Sequence, residues 1–159
     1  MKIGILSDTH GAVHPAIHEH MAGVDLLLHG GDVGGEHVMR ELELIAPVHA
    51  VRGNVDYDDL PLDLVLRLPC GTVAMRHGHL EDPSERHAFM QQHFRSVRPA
   101  MIVLGHSHHQ YLEYANGCWI VNPGACCRPR LGTVATIMLL EWSKASGFDF
   151  CLIPLPIAS

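Results

Sequence analysis

Five apolar runs in this chain end on residues able to hold a metal ion or move a proton. Leu6 is followed by Ser7-Asp8-Thr9-His10-Gly11, Leu28 by His29-Gly30-Gly31-Asp32, and Val51 by Arg52-Gly53-Asn54-Val55-Asp56. Met75 leads into Arg76-His77-Gly78-His79, and Leu104 into Gly105-His106-Ser107-His108-His109. Taken singly, each has an ordinary explanation. An Asp after a strand commonly caps a helix or turn, an Asn after Gly is a common turn residue, and a lone His can be a satisfied core group. His106-x-His108 is more pointed, because two imidazoles at that spacing can both turn inward. The conjunction decides. Chance does not put Asp, Asn or His after nearly every central strand, and burying so many polar groups without compensation is costly.

These groups need elements that bring them together. KIGIL (Lys2–Leu6), Val24–His29 and Val48–Arg52 read as buried strands. A helix opening at Pro15 and ending by Gly23 separates the first two, and a helix over Glu36–Ile45, stopped by Pro47, separates the next pair. This order implies parallel pairing with right-handed crossovers. LVLRLP and TVAMR flank Pro69-Cys70-Gly71 as a hairpin, a helix is expected from Pro83 to about Val97, and Met101–Leu104 is again a buried strand. The last third reads as an antiparallel meander: YLEYA and CWIVN joined by Asn116-Gly117, then TVATIMLLEW and FDFCLIP. The expected assembly is an α/β fold of two sheets packed face to face with helices outside, in a single domain over residues 1–159. The carboxyl ends of parallel strands share one rim, where ligands bind, so the strand ends deliver their polar groups to one region.

The 159 residues suit one domain with a sizeable core, and 47% hydrophobic with 18% charged residues is a globular composition. A net charge of −6 and the lack of a basic run argue against a stable nucleic-acid partner. Fourteen histidines favour metal chemistry. Several of them (His18, His20, His87, His93) fall on expected helices and read as solvated. Five cysteines without zinc-finger spacing do not form a disulfide framework, and Cys126-Cys127 are expected to be reduced. No signal peptide or membrane span is legible, and a cytoplasmic location is the expectation.

Asp8-x-His10, Gly31-Asp32, Gly53-Asn54, His77-Gly78 and Gly105-His106-x-His108, in that order, resemble the motifs of the calcineurin-like metallophosphoesterase superfamily. From Met1 to about Leu152 the chain is similar to the small single-domain phosphodiesterases of bacteria and archaea. The SDTHG start, the HGH stretch and Asn122-Pro123-Gly124 fit that branch. The resemblance implies a four-layer αββα sandwich of mixed parallel and antiparallel sheets. It implies two ions bridged by Asp32, with Asp8, His10 and His108 completing one site and Asn54, His77 and His106 the other. The implied activity is hydrolysis of small phosphodiesters by a hydroxide held between the ions, with Asp32, Asn54 and His77 acting through the metals. Mixed imidazole and carboxylate donors without thiolate suit divalent transition metals. Manganese is expected first, with Fe, Ni, Co or Zn as alternatives.

One position departs from the family pattern. Many relatives continue Gly-Asn with a histidine that protonates the leaving group or binds phosphate; here that position is Val55. Good leaving groups are then favoured, and His79 and His109 are the candidates for the missing proton donor. Arg128 and Arg130 are candidates to meet a phosphate, while Asp56, Asp25 and His29 read as supporting residues. A retromer subunit is similar to this fold and serves mainly as a binding surface, so a non-catalytic scaffold is the alternative from another class, and a small nuclease is a third. A homo-oligomer is compatible with the sequence.

Overall fold

Both faces of the first strand are apolar, which already demands a layer on either side. The computed structural model describes residues 1–57 and 59–156. The first strand is β1 (Lys2–Leu6), and it is followed by α1 (Ala16–His20), β2 (Leu26–His29), α2 (Glu36–Glu43) and β3 (Val48–Ala50). Ile3 and Ile5 of β1 join a core with Leu26, Leu28, Met138 and Leu140 that faces the second sheet. Leu6 and Leu27 pack with Ile17, Met21, Val38 and Leu42, beneath the two helices. The strand–helix–strand alternation gives the expected parallel pairs, β1 with β2 and β2 with β3.

The second sheet begins with β4 (Asp63–Leu68) and β5 (Gly71–Arg76), the expected hairpin. After α3 (Arg86–His93) and a 3₁₀ turn over Arg95–Val97 come β6 (Met101–Val103), β7 (Gln110–Ala115) and β8 (Cys118–Pro123). The expected continuous helix to Val97 is thus shorter, and Arg98 closes it in the left-handed region at φ 47°. Ala74, Ile102, Leu104 and Ile120 pack against Met90 and Phe94 of this helical segment, forming the fourth layer.

The last two strands are β9 (Thr136–Ser143) and β10 (Gly147–Pro154), and here the sequence expectation fails. The C-terminal third is not one meander. β8 runs parallel to β6 in the second sheet, whereas β9 lies antiparallel to β1 in the first. The observed orders are β10-β9-β1-β2-β3 and β4-β5-β6-β8-β7. The chain changes sheet between Pro123 and Thr136, and residues 133–135 are connection, not strand. The architecture is the αββα sandwich of mixed sheets. No helix among the described residues is long and apolar enough to cross a membrane.

Candidate metal centre

The ladder between β1 and β2 does not stop at the strand ends. The Asp8 N–H donates to the Gly31 carbonyl at 3.0 Å, His10 N–H to Asp32 at 2.9 Å, and Gly11 N–H to Val33 at 2.9 Å. The second sheet continues in the same way, with Gly105 N–H donating to the His77 carbonyl at 3.1 Å. Asp8, His10, Asp32, His106 and His108 all have positive φ, between 49° and 65°. A non-glycine residue there costs about 1–3 kcal/mol and persists only when its surroundings over-determine it. Asp and His tolerate the region better than most residues, which suits them to these turns.

The side chains converge. His108 Nε2 lies 3.2 Å from Asp8 Oδ1 and 3.3 Å from His10 Nε2. His10 Nε2 is 3.6 Å from Asp32 Oδ2, and His77 Nε2 is 3.4 Å from Asp32 Oδ1, so the two oxygens of Asp32 face different imidazoles. His77 Nε2 is also 4.0 Å from Asp8 Oδ1. Among the described residues, two groups have ligand atoms close enough for one ion each: Asp8, His10 and His108, and Asp8, Asp32 and His77. His106 Nδ1 and Asn54 Oδ1, 3.1 Å apart, stand at the His77 side, where the His77 and His106 ring centroids are 5.2 Å apart. All seven residues singled out as ligands from the sequence therefore meet at one rim.

The donor chemistry fits a divalent cation. His77 Nδ1 donates to the Gly30 carbonyl at 2.7 Å and His108 Nδ1 to the Arg128 carbonyl at 2.9 Å. Each bond fixes the tautomer and turns an Nε2 lone pair toward the carboxylates. Asp8 Oδ1 and His77 Nε2 are buried without a hydrogen-bond partner. Lone pairs facing carboxylate oxygens at such distances need a proton or a metal ion between them. The titration directions agree. Burial opposes charging His77, but Asp32 and Asp8 raise its pKa, and the nearby Asp8 carboxylate raises that of His108. Burial pushes Asp32 up, yet His77, the Val55 N–H and His10 outweigh it and hold the carboxyl at about 2. His106 is lowered by burial and by its neighbours His77 and Arg86.

Comparison with known proteins agrees with this geometry. The model of the calcineurin-like phosphoesterase superfamily domain matches residues 1–145. The chain belongs to that superfamily. A probable metallophosphoesterase of Methanocaldococcus jannaschii is 28% identical over 135 residues, covering 82% of this chain and 70% of that protein. A phosphodiesterase of the same archaeon is 26% identical over 165 residues, covering 91% and 95%. In fold, this calcineurin-like chain is similar to a structure described as a novel archaeal phosphodiesterase, with TM-score 0.77, 23% identity and coverage of 98% and 100%. It is equally similar to Vps29 of Entamoeba histolytica in complex with zinc, with TM-score 0.77, 19% identity and coverage of 97% and 99%.

Several residues of this calcineurin-like centre act by holding the ligand loops. Asp56 accepts three backbone N–H groups, from Gly53 at 2.8 Å, Gly34 at 2.8 Å and Val33 at 3.2 Å, and so fastens the Asp32 loop to the Asn54 loop. His29 Nδ1 accepts from the Gly31 N–H, so its Nε2 donates to Thr9 Oγ1, whose own proton goes to the Val33 carbonyl at 2.8 Å. Burial holds the His29 imidazole down at about 4. Asn122 donates to the Gly105 carbonyl and to Ser107 Oγ, bracing the turn between His106 and His108. Arg86, unremarked in the sequence, is buried and donates to the Gly78 carbonyl at 2.7 Å. Its only sequence signal would have been an arginine at the start of a largely polar helix.

The remaining candidates separate. The His79 ring lies 5.4 Å from that of His77 and 6.3 Å from that of His106. Burial and His77 lower its pKa. His109 is exposed and tied to Ser107 through its backbone. Val55 contributes its N–H to Asp32 Oδ1 at 3.0 Å, a role independent of its side chain. Arg128 reaches the centre through its carbonyl, and the side chains of Arg128 and Arg130 are exposed. Cys126 and Cys127 are free thiols with sulfurs 3.7 Å apart.

Proposed function

We propose that this chain is a dinuclear metal-dependent phosphodiesterase. The observation that carries the reading is the pair of buried, unpartnered ligand atoms, Asp8 Oδ1 and His77 Nε2, at the meeting point of imidazoles and carboxylates. In this reading Asp32, whose Oδ2 faces His10 and Oδ1 faces His77, would be shared by two ions. Asp8, His10 and His108 would complete one site, and Asn54, His77 and His106 the other. These mixed imidazole and carboxylate donors suit Mn, Fe, Co, Ni or Zn, and manganese is the ion expected first. When bound, the ions would supply an ionised water for attack on phosphorus and charge stabilisation for the phosphate oxygens.

The protein's own part is to hold the ligands rigid and to turn Nε2 of His77 and His108 toward the carboxylates through their Nδ1 bonds to backbone carbonyls. The Asn54 amide is neutral, so it adds no negative charge that would repel an anionic substrate. Val55 offers no proton to a leaving oxygen. Of the two candidates to supply one, His79 is supported over His109 by its ring, 5.4 Å from that of His77.

The test measures metal content of the purified chain and its hydrolysis of bis(p-nitrophenyl) phosphate with added Mn²⁺. The expected result is about two ions per chain and turnover, with Asp32→Ala losing both. Near wild-type turnover in that variant after metal is replenished sinks the reading. Loaded protein that hydrolyses nothing instead favours the scaffold alternative. The net charge of −6 speaks against the nuclease.

A further inference from the structure

Beside the ligand loops lies a pocket of about 390 Å³ whose walls include Val33, Met39, Val55, Tyr57 and Leu60. It is built from the two segments that carry Asp32 and Asn54. Val33 directly follows Asp32, Val55 directly follows Asn54, and the Val55 N–H is bonded to Asp32 Oδ1. The pocket therefore adjoins the ligand loops, one residue along the chain from Asp32 and from Asn54. The Asp56 bonds to Val33, Gly34 and Gly53 make its floor rigid before any ligand arrives.

The lining sets the chemistry. Val55 is 38% exposed and Tyr57 92% exposed, so apolar and aromatic surface is presented to solvent at the rim. The described lining residues include Glu36, Asp56 and Asp59 but no Lys, Arg or His. Asp56 is occupied by backbone amides, and Glu36 is paired with Arg40 at 2.7 Å. A second phosphate or a carboxylate placed here would meet carboxylates and apolar walls, with no cation among those residues to pair it. An uncharged aryl or alkyl group would lose water-exposed apolar surface against Val55, Met39 and Leu60 and could stack on Tyr57.

We propose that this pocket is the subsite for one ester group of the substrate, taking an uncharged aryl or alkyl group and rejecting an anionic one. The proposal rests on the phosphodiesterase reading for the position of the phosphate, and it names the class of ester that the site takes.

Calorimetry on the Mn²⁺-loaded full chain tests it, with phenylphosphonate, methylphosphonate, propylphosphonate and 2-carboxyethylphosphonate as probes. Phenylphosphonate is expected to bind about tenfold or more tighter than methylphosphonate. The carboxyethyl probe is expected to bind several-fold weaker than the propyl one. Tyr57→Ser and Val55→Ser, both at exposed side chains, should bring the phenyl and methyl affinities close to parity, and Tyr57→Ser should leave methylphosphonate binding unchanged. Equal phenyl and methyl affinities in the wild type overturn the proposal. So does a phenyl preference that both substitutions leave intact, or a carboxyethyl probe that binds as tightly as the propyl one. If the phenyl preference holds while bis(p-nitrophenyl) phosphate is not hydrolysed, the phosphodiesterase reading fails and the selectivity of the pocket stands.

Discussion

At the scale of single residues, the centre depends on side chains that never need to touch a substrate. The Asp56 carboxylate joins two ligand loops through three backbone amides. Removing it in Asp56→Ala leaves those amides to water or to nothing. A stability loss of about 2–4 kcal/mol is expected, since bonds to charged acceptors are among the stronger ones and one of the three is exposed. Metal affinity should fall about 10–100-fold, the usual consequence of losing a residue that orients ligands. Denaturant unfolding and metal titration check the two effects, and Asp56→Asn, which keeps an oxygen acceptor, should recover part of each. Val55 offers a complementary experiment. With no acid at that position, turnover of aryl phosphodiesters should depend steeply on leaving-group pKa, and Val55→His should flatten that dependence. An unchanged slope in the variant shows that the wild type already has a proton donor, for which His79 is the better-placed candidate.

At the scale of elements, the site is a consequence of parallel strands that run past their ends. The loops after β1 and β2 remain hydrogen-bonded to each other, and close approach leaves no room at particular backbone positions. A Cβ on Gly53 would lie 2.1 Å from Asp32 Oδ1 and 2.3 Å from the Asp32 backbone nitrogen. Gly53→Ala must therefore push away the Asp32 loop. We expect a loss of about 1–3 kcal/mol from overpacking, together with metal affinity lowered at least tenfold. Retained affinity would show that the loop yields freely, against the rigidity inferred for it. This level also shows what the sequence could and could not reveal. The candidate ligand positions stood out because Asp, Asn and His are conspicuous at the ends of apolar runs, and the β1–β3 order was legible from its helical crossovers. The partition of β8 and β9 between sheets was not. The Asn116-Gly117 turn announces a hairpin, but nothing local says that the next strand will pair with β1, at the other end of the chain. The full work of Asp56 and Asn122 was hidden for a related reason: most of their partners lie on loops distant in sequence.

At the scale of the whole molecule, the titrating groups of the centre couple folding to pH on both sides of neutrality. In the unfolded chain each histidine ionises near 6.5. Buried His29, held at about 4, stays neutral in the folded protein while its unfolded counterpart gains a proton between pH 6.5 and 4. Stability must fall as pH drops through that window, by about 3 kcal/mol at its lower end. Asp32, held at about 2, prolongs the loss below the ordinary carboxylate range. His77 and His108 act in the opposite direction. Their pKa values are raised by Asp32 and Asp8, so the stability they contribute is complete below 6.5 and is lost as pH rises through their folded values. Metal-free protein is therefore expected to be most stable near pH 6.5. Added Mn²⁺ should stabilise it more as pH rises, because an ion takes the place of the protons between these imidazoles and carboxylates. Denaturant unfolding from pH 4 to 9, with and without chelator, checks the shape. His29→Gln keeps a donor for Thr9 but cannot titrate, so it should flatten the acid limb alone. An acid limb unchanged in that variant would remove His29 as its cause and shift the burden to the carboxylates.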